Sequence, residues 1–128
     1  ITLYFVNSFF YTSYVKLQQA YYSENNLAGG WTLIGYTAPG NTGLDQSATT
    51  NFAYGKGEID MDNSTAIGAT AKTGWTAMNL KDLNDCKIAN ATANWTVKVS
   101  DNGSLVFDAA ANGAGCVALT PTFSNIGK

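Results

Sequence analysis

Apolar side chains at Leu3, Val6, Phe10, Tyr14, Leu17 and Tyr21 recur at intervals of 3, 4, 4, 3 and 4, the spacing of one stripe along an α-helix. Phe5 and Phe9 fall off that stripe, so the first half of the segment is apolar nearly all round. From Lys16 onward (KLQQAYYSE) the opposite face turns polar. The pattern predicts a helix over 1–26, buried on most sides at its start and on one side at its end. Asn25-Asn26 and then Gly29-Gly30 supply the stop. ITLYFV, β-branched and aromatic, also suits a strand on propensity; the persistence of the stripe favours the helix.

Beyond Gly30 the texture changes to short apolar runs punctuated by Gly, Asn and Asp. WTLIGY (31–36) reads as a strand ended by Pro39-Gly40, and 39–51 as a loop. NFAYG (51–55) and GEIDMD (57–62) read as strands, 64–80 as strand, turn, strand, and KDLNDC (81–86) as a turn or a short helical segment. The clearest local signal is NWTVKVSDNGSLVFD (94–108). Its two alternating runs flank Asp101-Asn102-Gly103, where Asn-Gly supplies the positive φ angles of a tight hairpin turn. Trp95, Val97 and Val99 share one face there, and Leu105 and Phe107 share a face of the partner strand. CVALTPTF (116–123) reads as a last strand, placed at an edge by Pro121. The expected fold class is α+β: a long N-terminal α-helix packed on a mainly antiparallel β-sheet. The domain division is a helix at 1–26 for assembly and a globular β-rich domain at 27–128.

Composition narrows the class. The 128 residues make one domain with room for a core, and 45% hydrophobic residues argue against disorder. Only 12% are charged; there are seven Lys, no Arg and no His, and the net charge is −2. Without a Lys/Arg cluster no nucleic-acid core is expected. A weakly charged surface rich in Asn, Thr, Ser and Gly suits an exported protein or one that packs against copies of itself. No run reaches the roughly 18 apolar residues of a membrane span. The sequence starts at Ile1 without Met or a recognisable signal peptide, as expected of a processed or truncated chain.

Cys86 and Cys116 form no CxxC pattern, and two thiols without His make a poor metal site. In an exported protein they read as one disulfide, closing a loop worth roughly 3–4 kcal/mol; two buried free thiols are the alternative. The absence of His removes the Ser-His-Asp triad and the Cys-His pair, and neither GxGxxG nor a P-loop occurs. An enzyme is not expected. Glu58, Asp60 and Asp62 alternate along the expected strand and with Asn63 would offer oxygen ligands to Ca²⁺. Two such carboxylates would also serve glycoside hydrolysis if roughly 5–9 Å apart. On the plainer reading Ile59 and Met61 face the core and the acids face solvent, so no cofactor is needed. Trp31, Trp75 and Trp95 read as a sugar-stacking platform or as core anchors. Asn63, Asn90, Asn94 and Asn102 each begin an Asn-X-Ser/Thr triplet, a pattern that chance supplies in a chain this rich in Asn and Thr.

Three features together resemble the type IV pilins and pseudopilins. They are the helix whose second half is amphipathic, with LQQAYYSE at 17–24; the order helix, loop, antiparallel sheet; and the cysteine pair around the C-terminal region. Pilins carry a Glu at the fifth mature position, where this chain has Phe5, and no acid precedes Glu24, so no assembly Glu carries over. The resemblance implies a structural subunit of an extracellular, cell-surface filament. It would self-associate through the helix face Leu3, Val6, Phe10, Tyr14, Leu17 and Tyr21, with membrane contact only during assembly. A truncated helix, or one completed by a separate N-terminal pilin chain, is the expected origin of the short segment. Motility and adhesion are among the roles that this architecture serves. The alternative expectation is a secreted carbohydrate- or calcium-binding β-rich module.

Overall fold

A computed structural model describes residues 8–40, 46–49, 51–88 and 93–128, with the side chains of 8–11 and 46–47 outside the description. Helix α1 (Ser8–Asn25) leads into strand β1 (Ala28–Gly29), the short helix α2 (Trp31–Ile34), and strands β2 (Gln46–Ala48), β3 (Phe52–Gly55), β4 (Ser64–Thr65), β5 (Lys72–Asn79), β6 (Trp95–Asp101) and β7 (Leu105–Ala111). Helix α3 (Ala114–Leu119) and a 3₁₀ turn at Phe123–Asn125 follow. Two antiparallel sheets result: five strands in the order β2-β3-β5-β6-β7, and the pair β1-β4. Among the described residues no helix is long and apolar enough to cross a membrane.

This corrects the expected long helix packed on a sheet. The domain is mainly β, in two antiparallel sheets with short helices, and α1 is not laid across the larger sheet. It packs on β1, α2 and β7. Besides these direct contacts, the 28–38 segment links it to the large sheet: Tyr36 touches both Tyr14, edge-on with ring centroids 5.6 Å apart, and the Trp75 indole, whose Nε1 donates to the Tyr36 hydroxyl at 2.9 Å. The amphipathic stripe locates the helix but does not say which surface the helix meets. Tyr14 and Val15 lie in the same buried cluster as Trp75, Trp95 and Phe107, so α1 and the β strands share one core.

Four further segments depart from their sequence patterns, the first being 39–51, expected as a loop, which carries β2. WTLIGY is the α2 turn rather than a strand. It is bracketed by Gly30, extended at φ −68°, ψ 168°, and by Gly35 in the left-handed region at φ 79°, whose N–H closes the turn on Thr32 and Trp31 carbonyls. GEIDMD is a loop of turns, but its polarity alternates as the plainer reading held: Ile59 is buried, Met61 half-buried, and Glu58, Asp60 and Asp62 exposed. CVALTPTF is α3 followed by the 3₁₀ turn. Gly113 enters it at φ 84°, and Pro121 follows the last turn, where proline disfavours helical conformation in the residue before it.

The predicted hairpin is present, with Trp95, Val97 and Val99 at 0% exposure and Phe107 buried beside them. Asp101 belongs to β6 and pairs with Leu105, so the turn is 102–104, and of the Asn102-Gly103 pair only Gly103 has positive φ. Cys86 and Cys116 form the disulfide, which joins the 81–86 turn to α3 instead of to a last strand. Asn79 and Asn94, both buried, brace that turn. Asn79 Nδ2 donates to the carbonyls of Lys81 (2.9 Å) and Cys86 (3.0 Å), and Asn94 Nδ2 to Asn79 Oδ1 (2.6 Å) and the Lys87 carbonyl (2.8 Å). Buried amides paired in this way brace the loop, their hydrogen bonds offsetting the cost of desolvation.

Candidate functional site

The functional geometry centres on how α1 is held. Asn26, in the left-handed region at φ 56°, ends the helix and returns its N–H to the Tyr22 carbonyl. The chain then passes back along the helix, so that Gly29 faces Gln18. Gln18 is fully buried: its Nε2 donates to the Gly29 carbonyl at 2.9 Å and to the Tyr14 hydroxyl at 3.0 Å, and its Oε1 accepts the Gly29 N–H at 2.8 Å. The Tyr14 ring stands over Gly74, where a Cβ would come within 2.0 Å of its hydroxyl oxygen. Gly74 lies at the irregularity in the β5–β6 register between Thr73 and Trp75, and a bulge there leaves its carbonyl free to accept Trp31 Nε1 at 3.0 Å. At the far end the Tyr22 hydroxyl donates to the Asp101 carboxylate at the end of β6.

Of the predicted helix face, Tyr14 is fully buried, and Leu17 and Tyr21 pack against the core of the same chain. Leu3, Val6 and Phe10 lie outside the residues whose side chains are described. The second half of the stripe therefore packs, wholly or in part, within the molecule. Burial pushes the Tyr14 and Tyr54 phenols well above the usual tyrosine range, and the Tyr36 phenol up to about 12. The bond to the Asp101 carboxylate raises Tyr22, since a phenolate there would lose that bond and face a like charge.

The acidic loop forms an open cleft of about 440 Å³, bordered by Leu33 and the 58–65 segment. Two of its carboxylates are engaged by neighbouring groups of the chain. Glu58 Oε1 accepts the Thr73 N–H at 2.7 Å, while Asp60 accepts from Lys56 Nζ at 3.4 Å and from Asn63 Nδ2 at 3.3 Å. Among the described residues no group of three His, Cys, Asp or Glu side chains is placed to hold a metal ion. The loop is docked by its backbone: Gly30 and Thr32 donate to the carbonyls of Asn63 (2.8 Å) and Met61 (3.0 Å). A Cβ on Gly30 would lie 1.8 Å from the Asp60 carbonyl oxygen, so only glycine permits the approach.

No indole face is offered to a ligand. Trp31, Trp75 and Trp95 are at most 2% exposed, and each ring N–H has an acceptor: the Gly74 carbonyl, the Tyr36 hydroxyl and Thr120 Oγ1. Of the Asn-X-Ser/Thr triplets, Asn94 is buried, Asn63 and Asn102 are exposed, and Asn90 lies outside the described residues. Sequence reasoning missed the Gln18–Gly29 pairing. A glutamine on the inner side of an amphipathic stripe, three to four residues from Tyr14 and Tyr21, was the available signal. No family model matches this chain, and no curated protein or solved structure matches it either.

Proposed function

We propose that this chain is a structural subunit of an extracellular filament, similar in kind to pilus subunits, and that it assembles through the apolar segment preceding the anchored part of α1. The observation that carries the reading is the division of labour along the stripe. Tyr14 is buried inside the domain, and Leu17 and Tyr21 pack partly buried against its core, which leaves little of them for a neighbour. Eight of the first eleven residues are apolar or aromatic, and Phe5 and Phe9 lie off the stripe that the domain uses. An apolar side chain of that size gains roughly 1.5–3 kcal/mol when buried, so a few of them in a contact between copies would suffice. Contacts that do not close on themselves extend into a helical fibre. The disulfide and the low charge suit an exported, closely packed surface.

The anchoring supports the reading mechanically. A helix that transmits load between subunits needs a firm hold on its own domain, and α1 is held by the Gln18 carboxamide, by the Tyr14 ring and by Tyr22 on Asp101. The test is the concentration dependence of sedimentation for the full chain and for a chain lacking residues 1–7. Association that disappears with the deletion is expected. A deleted chain that associates as strongly as the full one would overturn the proposal.

A further inference from the structure

We propose that Asn112 is a site of spontaneous covalent modification, its carboxamide cyclising onto the Gly113 nitrogen to a succinimide that water opens to aspartate or isoaspartate. The chain has two Asn-Gly pairs, Asn102-Gly103 and Asn112-Gly113. Both meet the chemical requirement, because glycine has no Cβ to obstruct the approach of its nitrogen to the Asn Cγ, and asparagine is among the thermolabile residues. The structure separates them.

At the hairpin tip the Gly103 N–H donates to Asp101 Oδ1 at 2.9 Å. The Asn102 N–H donates to the Ser104 carbonyl at 3.2 Å, and the Asp101 N–H to the Gly68 carbonyl at 2.8 Å. Tyr22 holds the other oxygen of Asp101. Cyclisation there must break the Gly103 bond, and a carboxylate beside the nitrogen opposes loss of its proton. At the second pair, between β7 and α3, the Asn112 N–H donates to the Asn94 carbonyl at 2.7 Å and the Gly113 carbonyl accepts from Val117 at 3.0 Å. Those bonds leave the reacting atoms alone: among the described residues nothing accepts the Gly113 N–H or engages the Asn112 carboxamide. Both residues are exposed, and a Cβ on Gly113 would meet nothing within 4 Å.

In the reaction a bond forms from Gly113 N to Asn112 Cγ and the Cγ–Nδ2 bond breaks. Nδ2 leaves as ammonia, taking the proton that Gly113 N gave up. Water then cleaves the ring at the side-chain carbonyl to give aspartate, or at the main-chain carbonyl to give isoaspartate. Either product adds one negative charge. Isoaspartate also lengthens the main chain by a methylene just ahead of α3, the helix that carries Cys116.

The experiment is timed incubation of the native, disulfide-bonded protein at mildly alkaline pH, followed by peptide mapping with mass spectrometry. Conversion at Asn112 is expected several-fold faster than at Asn102, with the two rates converging in urea-unfolded protein. Asp101→Ala should accelerate conversion at Asn102, and Asn112→Gln should abolish the faster reaction. Conversion at Asn102 as fast as at Asn112 in the folded protein, or none at Asn112, would overturn the inference.

Discussion

The carboxamide of Gln18 pairs with the backbone of Gly29 on both sides, giving a hydrogen bond to its carbonyl and taking one from its N–H, at 2.9 and 2.8 Å. It thus acts as a strand neighbour supplied by a helix, and fastens α1 to the segment that leads into the sheets. Gln18→Ala leaves both backbone groups buried and unpaired, along with a cavity. A loss of about 2–4 kcal/mol is expected, read as a lower urea midpoint at unchanged slope. A loss under about 0.5 kcal/mol, the range of an ordinary surface substitution, would show that the pairing contributes nothing.

The glycines give a graded test of close packing. Gly30→Ala drives a Cβ against the Asp60 carbonyl and Gly74→Ala drives one against the Tyr14 hydroxyl, whereas Gly68→Ala meets nothing within 4 Å. The first two should lower the melting temperature markedly, by the several kcal/mol that a forced backbone or core shift costs, about 1–3 or more. Gly68→Ala should leave it unchanged. The discriminating comparison is thermal unfolding of the three variants side by side.

Reduction of the Cys86–Cys116 disulfide frees a loop with a sequence separation of 30. Closing such a loop removes chain entropy from the unfolded state worth about 3–4 kcal/mol. Cys86→Ser with Cys116→Ser should therefore unfold at lower denaturant, and addition of a reductant should have no further effect on the variant. A reductant that leaves wild-type stability unaltered would contradict this.

Alkaline pH should unfold the protein through its buried phenols. Tyr36 is raised from 10.0 to about 12, and Tyr14 and Tyr54 are also raised. A phenol ionises by losing a proton, so a raised folded value means that the folded state holds the proton longer. The stabilisation is complete below the unfolded value of 10.0 and is lost as pH rises through the folded value. A tenfold difference in proton affinity between the folded and unfolded states is worth about 1.4 kcal/mol. The melting temperature should be insensitive to these groups up to about pH 9 and fall steeply above the ordinary tyrosine range, with phenolate absorbance appearing together with unfolding. Absorbance that rises well before unfolding would place these rings in solvent.

What could be read from sequence was periodicity carried by many residues. The α1 stripe and the Trp95-Val97-Val99 alternation were legible because each repeats through several turns or pairs. The short runs were not. WTLIGY and CVALTPTF are apolar over lengths that suit a strand or a buried helical turn equally. The choice fell to Gly35 and Gly113, whose positive φ angles end one helical turn and begin the other. GEIDMD kept its in-out alternation without forming a strand, because the Gly30 and Thr32 backbone took the loop carbonyls of Asn63 and Met61 that a strand would have paired. The surface that α1 meets was illegible, since it depends on a glutamine reaching a glycine eleven residues away.

The central claim, that residues ahead of the anchored part of α1 join copies of this chain, is tested most directly by negative-stain electron microscopy of the full chain beside a Phe5→Asp/Phe9→Asp variant at equal concentration. The expected result is filaments from the full chain and dispersed particles from the variant, which should keep the same unfolding midpoint because Phe5 and Phe9 lie off the stripe that the domain uses. Filaments of equal length and number from both, or dispersed particles from both, would contradict it.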